Sequence, residues 1–382
     1  MKSDRSAALL LMAAAMFGLI VANSPLGAMF LDFKASYLNI EFLNLELTAG
    51  KWVSDFFLAV FFLVAGLELK YEIVSGVLSR VSTAIMPVVA GIGGVLAPAL
   101  IYTAFNFNGG NMDGWPIPTA TDIAFALGVL AIFGRGLPKS ARIFLLALAI
   151  FDDLVAIMII AIFFTDDLQV IWLLVAGVIA ALHIMAERFL KIPMNPVRVV
   201  TFLLLWYAVF QSGVHATIAG VLLGLIIPAK RTHALVDKIQ PWTNTVVLPL
   251  FAFFAVAIAL PTFADELSPV FLGILVALPV GKIVGITAFA LLANLIIPKQ
   301  DRLELHPLDF MAIAGLAGVG FTVSLLMAKL AFAGQTELLA EATIAVLLGS
   351  LISMAFGAAL AQHRGKHYMK LHRAENKAQR NQ

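Results

Sequence analysis

The sequence predicts an all-α integral membrane protein with about twelve transmembrane helices. Three observations predict it. The first is composition: 61% of the 382 residues are hydrophobic and only 13% are charged, about half the charged fraction of an ordinary soluble domain. The second is run length: the apolar residues fall in stretches of roughly 20, which a helix needs to cross a hydrocarbon core about 30 Å thick. The third is the placement of basic residues, which crowd the breaks on one side of the run pattern. The net charge of +2 and the absence of cysteine give no basis for a nucleic-acid partner, a disulfide framework or a thiolate metal site.

Taken in order, the apolar runs lie near 6–24, 50–74, 84–105, 118–133, 140–164, 168–186, 197–210, 214–228, 242–260, 268–296, 308–332 and 338–361. The first follows Lys2 and Arg5 and imitates a signal peptide. It is long and many spans follow it, so it reads as a retained helix. From Pro25 to Ala49 runs a long connection in which Asn39-Ile40-Glu41-Phe42 and Leu45-Glu46-Leu47 alternate at strand period. A small extramembrane β-hairpin is expected there, with an edge open to a second protomer; a plain surface loop is the competing reading. The fourth run is entered through Pro116-Ile117-Pro118-Thr119-Ala120-Thr121-Asp122, a poor helix interior because each proline removes a backbone donor. The eleventh contains Gly315-Leu316-Ala317-Gly318-Val319-Gly320-Phe321-Thr322. Two interrupted spans in separate halves point to an ion site at mid-membrane; close packing at glycine is the alternative for 308–332.

The loops test this count. With the N-terminus inside and the sides alternating, Lys2, Arg5, Lys70, Arg80, Arg135, Lys139, Arg142, Arg188, Lys191, Arg198, Lys230, Arg231, Lys238, Lys299, Arg302, Arg364, Lys366, Lys370, Arg373, Lys377 and Arg380 are cytoplasmic, which is 21 of the 25 basic residues. The other side keeps Lys34, Lys51 and Lys329, and carries Asp113, Asp166, Asp167, Asp265 and Glu266. That bias predicts both termini in the cytoplasm.

One base remains, Lys282, inside the run 268–296, and three acids share its predicament: Asp122, Asp152 and Asp153. The Asp152-Asp153 pair sits at the midpoint of 140–164. Insertion costs about 2.5–3.5 kcal/mol for each such residue, roughly 10–14 kcal/mol for four. One internal ion pair with Lys282 explains one acid. The other two must be protonated, hydrated or bound to a cation. Adjacent carboxylates with hydroxyls and freed backbone carbonyls suit a hard monovalent cation; no Cys or His lies nearby for a softer metal. Burial penalises the charged carboxylate, so the same oxygens can hold protons instead. A site that holds either species can exchange them.

These residues resemble a known family. Ala120-Thr121-Asp122-Ile123-Ala124-Phe125-Ala126-Leu127-Gly128, the Asp152-Asp153 pair, Gly213-Val214-His215-Ala216-Thr217 and Gly281-Lys282 closely resemble the NhaA family of bacterial sodium/proton antiporters, as do Gly66-Leu67-Glu68-Leu69-Lys70 and Gly320-Phe321-Thr322-Val323-Ser324. The likeness runs in order from about residue 8 to 360, and that family is among those from which the broken-helix rule was drawn.

The resemblance implies twelve helices with inverted-topology repeats in spans three to five and ten to twelve, the interrupted fourth and eleventh crossing at the middle. It implies one membrane domain over 1–362, with core spans within 81–164 and 267–362 and panel spans within 6–75 and 168–260, followed by a basic tail over 363–382. Asp153 becomes the principal Na+ ligand, Asp152 pairs with Lys282 in one protonation state, Thr121 lends an oxygen, and Asp122 and Lys282 offset the charges of broken helix ends. The expected function is electrogenic export of Na+ or Li+ for entering H+, activated at alkaline pH, in the inner membrane and serving sodium and pH homeostasis. That is a secondary transporter, not an enzyme, with no cofactor and with a homodimer as its assembly. In the family the cytoplasmic end of the second span is linked, with His215, to pH response, which implicates Glu68 and Glu72. A solvated helix end and a packed histidine are the plainer readings. Two departures stand out: Val236-Asp237 where relatives carry Glu-His, and Phe254-Ala255-Val256-Ala257 where they carry Ala-Asn-Ala-Gly. A passive cation channel or, further off, an intramembrane aspartyl protease are the alternatives; the protease signature Gly-x-Gly-Asp is absent at Asp122 and Asp152.

Overall fold

A backbone inside a bilayer has no water to bond, so each span must satisfy its own N–H and C=O groups, and helices do this throughout the chain. The computed structural model describes residues 2–108, 110–165, 167–189, 193–260, 267–298, 302–303 and 305–380, with backbone alone at 2–5 and 372–380. Of the loop charges, Asp166, Lys191, Asp265, Glu266 and Lys299 lie outside the described residues, as do the side chains of Lys2, Arg5, Arg373, Lys377 and Arg380.

Fourteen helices are used below: α1 (Lys2–Ala22), α2 (Gly27–Ala35), α3 (Ala49–Val74), α4 (Val81–Asn106), α5 (Ile123–Phe133), α6 (Lys139–Phe163), α7 (Val170–Phe189), α8 (Met194–Gln211), α9 (Ile218–Ile226), α10 (Ala229–Val256), α11 (Pro269–Ile296), α12 (Pro307–Ala317), α13 (Phe321–Ala331) and α14 (Thr336–Arg380). Among the described residues, eight helices are long and apolar enough to cross a membrane, or up to ten if each of two bent pairs is one span. Those pairs are α1 with α2, bent by 108°, and α12 with α13, bent by 51°. The difference from twelve apolar runs lies at α8 and α9. After the left-handed Gly213 (φ 81°) the chain turns until Ile218, so α9 keeps nine residues, about 14 Å of helix.

Between α2 and α3 the alternating segment folds back on itself. Leu38 N–H donates to Leu47 O (2.8 Å) and Ile40 N–H to Leu45 O (2.9 Å), around a 3-10 turn at Glu41–Leu43 and a left-handed Asn44. The pairing is two isolated antiparallel bridges, Tyr37 with Thr48 and Ile40 with Leu45, and no strand forms among the described residues. Two bridges without a third chain beside them are too few to build a sheet.

The chain divides into two units, one of residues 1–9, 80–153 and 261–382, the other of 10–79 and 154–260. In the first, α4 and α11 approach so closely that a Cβ at Gly285 would strike the Gly93 carbonyl, the small-residue contact expected of helices in lipid. In the second, Trp206 stacks on Trp52 and Phe210 and meets Phe56 edge-on. There Phe254, one of the departures noted above, packs edge-on against Phe30 and Phe253, a large ring where relatives carry alanine. The last helix, α14, runs unbroken through residues 362 and 363 to Arg380, roughly 68 Å of helix.

Candidate ion-binding site

The site lies in the first unit, where the two interrupted spans meet at their breaks. Pro116 and Pro118 permit only a 3-10 turn at Ile117–Thr119; Ala120 and Asp122 after it are extended, and α5 begins only at Ile123. Glycines 318 and 320 separate α12 from α13. Backbone freed at one break pairs with the other: Asp122 N–H donates to Val319 O at 2.7 Å.

Asp122 is 3% exposed and caps two helices at once. Its Oδ1 accepts from Phe125 N–H (3.0 Å), closing the first turn of α5. Its Oδ2 accepts from the Thr322 hydroxyl (2.6 Å) and N–H (3.3 Å) in the first turn of α13. A carboxylate between two helix N-termini sits where their partial positive charges converge, so Asp122 needs no base.

Lys282 and Asp152 form a buried ion pair, the pairing that the family resemblance implied. Lys282 follows directly on a π-helical turn at Ala277–Gly281, the irregularity that often marks functional positions in helices. Its Nζ lies 2.6 Å from Asp152 Oδ2 and donates to the Thr121 hydroxyl at 3.0 Å. Both charged side chains are 0% exposed. The Thr121 Oγ1 is 2.7 Å from Asp152 Oδ2 and 2.7 Å from the Ala317 carbonyl oxygen at the end of α12. It owns one proton and can donate to one of them at a time. Asp152 Oδ1 has no hydrogen-bond partner among the described residues, so this carboxylate retains capacity for a proton or a cation.

Asp153 is buried, 6% exposed, but one residue on from Asp152 its side chain leaves the helix about 100° away. The two aspartates therefore face different directions from adjacent positions. Among the described residues no three His, Asp or Glu side chains gather at metal-binding spacing. A cation held here draws on hydroxyl and carbonyl oxygens besides its carboxylates.

The residues implicated in pH response do not gather in one place. Glu68 Oε1 accepts from Gln240 Nε2 at 3.3 Å, and Glu72 Oε2 accepts from Val77 N–H at 2.7 Å as the chain leaves α3. His215 instead approaches Asp55, with Nε2 3.8 Å from Oδ1, and its Nδ1 lies 2.7 Å from the Thr217 hydroxyl. Asp55 and Glu68 are thirteen positions apart on α3, about 20 Å along its axis, so His215 belongs to the opposite end of that span.

Sequence reasoning missed three participants. Thr322 and the Ala317 carbonyl belong to the glycine-rich break, which composition marks without showing what it bonds. Asp309, 0% exposed, is a further buried acid, with the buried Arg364 as its partner. Its signal was an acid at the third position of a helix opening on proline, the place of a helix cap; Arg364 was masked by a basic tail.

The sequence matches the profile of the family described as Na+/H+ antiporter 1 across residues 1–360. It is 45% identical over 374 residues to the protein named Na(+)/H(+) antiporter NhaA 2 of Clavibacter michiganensis subsp. michiganensis, covering 96% of this chain and 91% of the relative. It is similar too to the NhaA antiporter of Thermobifida fusca, 39% identical with 98% and 95% covered, and to NhaA 2 of Pseudomonas syringae pv. syringae, 41% identical with 93% and 92% covered.

Proposed function

The chain belongs to the Na+/H+ antiporter 1 family, and from that premise we propose that it exports Na+, or Li+, in exchange for entering protons. One observation carries the reading: Asp152, buried against Lys282 and Thr121, has a carboxylate oxygen with no partner among the described residues. Lys282 and a cation compete for Asp152, while Asp153 beside it is the principal ligand. From inside, Na+ displaces protons from the aspartates, the site turns to the other face, and external protons displace Na+. Two titrating aspartates take in more than one proton per Na+, so the exchange is electrogenic and draws about 2.3 kcal/mol per charge per 100 mV. A carboxylate must lose its proton to bind Na+, so activity rises with internal pH.

Among the described residues eight helices are long and apolar enough to cross a membrane, or up to ten if each bent pair is one span; α8 and α9 as two further spans would complete the twelve. In the inverted-repeat arrangement α4 to α6 answer to α11 to α14, with the breaks before α5 and before α13 in corresponding places. The basic loops put both termini in the cytoplasm of a bacterial inner membrane. The fold-back at 36–48, whose Phe42 is 87% exposed, is the contact of a homodimer. Glu68 and Glu72 at the cytoplasmic end of α3 respond to pH, and His215 acts from the other end of the span. The protein is a secondary transporter for sodium and pH homeostasis, and needs no cofactor beyond its transported ions.

Vesicles acidified inside test this. External Na+ or Li+ collapses the pH gradient with the natural chain and leaves it standing with Asp153→Asn. Sodium entry without proton counterflow rules out exchange, and exchange retained in Asp153→Asn rules out the assigned ligand.

A further inference from the structure

The four intramembrane charges read from the sequence leave Asp309 and Arg364 unused. Arg364 Nε lies 2.7 Å from Asp309 Oδ1 and its Nη2 3.4 Å from Oδ2. The Tyr368 hydroxyl donates to Oδ2 at 2.6 Å, and so does His306 N–H at 2.8 Å. Arg364 and Tyr368 are one turn apart on α14, about 42 and 48 Å from its start, and Asp309 opens α12. The same turn holds a second helix end: Gly365 lies so close to the loop after α5 that a Cβ on it would strike the Arg135 carbonyl, and one on Gly136 (φ 96°) would strike the Gly365 carbonyl. So one turn of α14 grips the far ends of both α12 and α5. Their near ends are Ala317, whose carbonyl oxygen lies 2.7 Å from Thr121 Oγ1, and Asp122, which caps α5. Each half-helix is eleven residues, about 16 Å of rigid rod between the clamp and the ion site.

We propose that the α14 turn Arg364–Tyr368 is a positioning clamp for cation binding: it sets where α12 and α5 present Ala317 and Asp122, and so how Thr121, Asp152 and Lys282 are spaced. Arg364, Gly365 and Tyr368 touch no transported ion and act through the two half-helices. A site whose oxygens are displaced by a few tenths of an ångström binds a small cation more weakly while its turnover machinery stays intact. The inference builds on the exchange reading, but cation binding can be measured without exchange.

The test is titration calorimetry of Li+ and Na+ on full-length protein purified in detergent, beside exchange assays in proteoliposomes. Arg364→Ala raises the Kd roughly tenfold, the lower end of what loss of a supporting contact costs a metal site. Gly365→Ala, which acts on α5, moves it the same way. Tyr368→Phe keeps the ion pair and shifts the Kd about twofold, and Arg364→Lys recovers part of the loss. KM for Na+ follows the Kd, while the maximal rate stays near that of the natural chain. In a Thr121→Val background, where the link to Ala317 is gone, Arg364→Ala adds little. An unchanged Kd in folded Arg364→Ala and Gly365→Ala overturns the clamp, as does full additivity with Thr121→Val. Natural chain that binds Li+ without exchanging protons overturns the transport reading, and the clamp is then judged on Kd alone.

Discussion

Asp152 and Asp309 are carboxylates of the same unit, both 0% exposed at the side chain, each meeting a cationic nitrogen at 2.6 to 2.7 Å. Their surroundings differ. Asp309 receives two guanidinium nitrogens, a phenol and a backbone N–H, which occupy both its oxygens. Asp152 meets one ammonium and one hydroxyl, both at Oδ2, the hydroxyl being shared with the Ala317 carbonyl, and Oδ1 has no partner among the described residues. The partners differ as well. A guanidinium stays charged at any pH a protein meets and matches a carboxylate with a fixed fork, whereas a buried ammonium can surrender its proton and move. A fully bonded Asp–Arg pair leaves no oxygen open; a partly bonded Asp–Lys pair leaves one oxygen for a further ligand. Distance alone would not have told them apart.

The largest expected effect breaks the contrast from the Asp152 side. Lys282→Arg keeps the charge but removes the ability to release it, so exchange falls by at least about 100-fold while the protein still inserts; exchange near the natural rate would mean that Lys282 is only a fastening. Lys282→Ala leaves Asp152 buried without a base and should lower stability by about 3–5 kcal/mol, read by thermal unfolding in detergent; an unchanged melting temperature would show that the pair adds nothing to the fold.

Next comes Thr121→Val, which removes the hydroxyl shared by Asp152, Lys282 and Ala317. Loss of one buried hydrogen bond of about 1 kcal/mol raises the KM for Na+ roughly fivefold. Equal KM values would remove Thr121 from the site. Competition between Na+ and protons sets a milder expectation: acidifying the inner face raises the KM for Na+ with little change in the rate at saturation. A falling saturated rate with constant KM would place the titrating group outside the cation site. The smallest effect belongs to Glu68→Gln, since Glu68 makes one long hydrogen bond to Gln240; the pH profile shifts while the saturated rate is kept.

Much of this was legible before any coordinate. Apolar runs and basic loops foretold a helical membrane protein, because hydrocarbon tolerates so few alternatives. Asp122, Asp152, Asp153 and Lys282 stood out for the same reason: a charge within a long apolar run is costly wherever the helix packs. The prolines before Asp122 and the glycines at 315–320 marked the breaks. The alternation at 39–47 foretold a fold-back but not its extent, since period two says nothing about how many partners a strand will find.

Charge counting alone could not tell which charges meet. Three acids and one base allow three pairings; the family resemblance named Asp152 as the partner of Lys282, and the fold brings those two side chains together. Asp122 turned out to need no base because two helix N-termini converge on it, and that convergence is made by segments two hundred residues apart. His215 and Glu68 part company because a helix has length. Arg364 looked like one more charge in a basic tail until α14 ran on unbroken and carried it to Asp309. The sequence alone determined that charges lie buried in this membrane protein, since burial follows from composition along the chain. The tertiary structure decided which of them are fully bonded and which keep an oxygen open, since that depends on what approaches each oxygen from elsewhere.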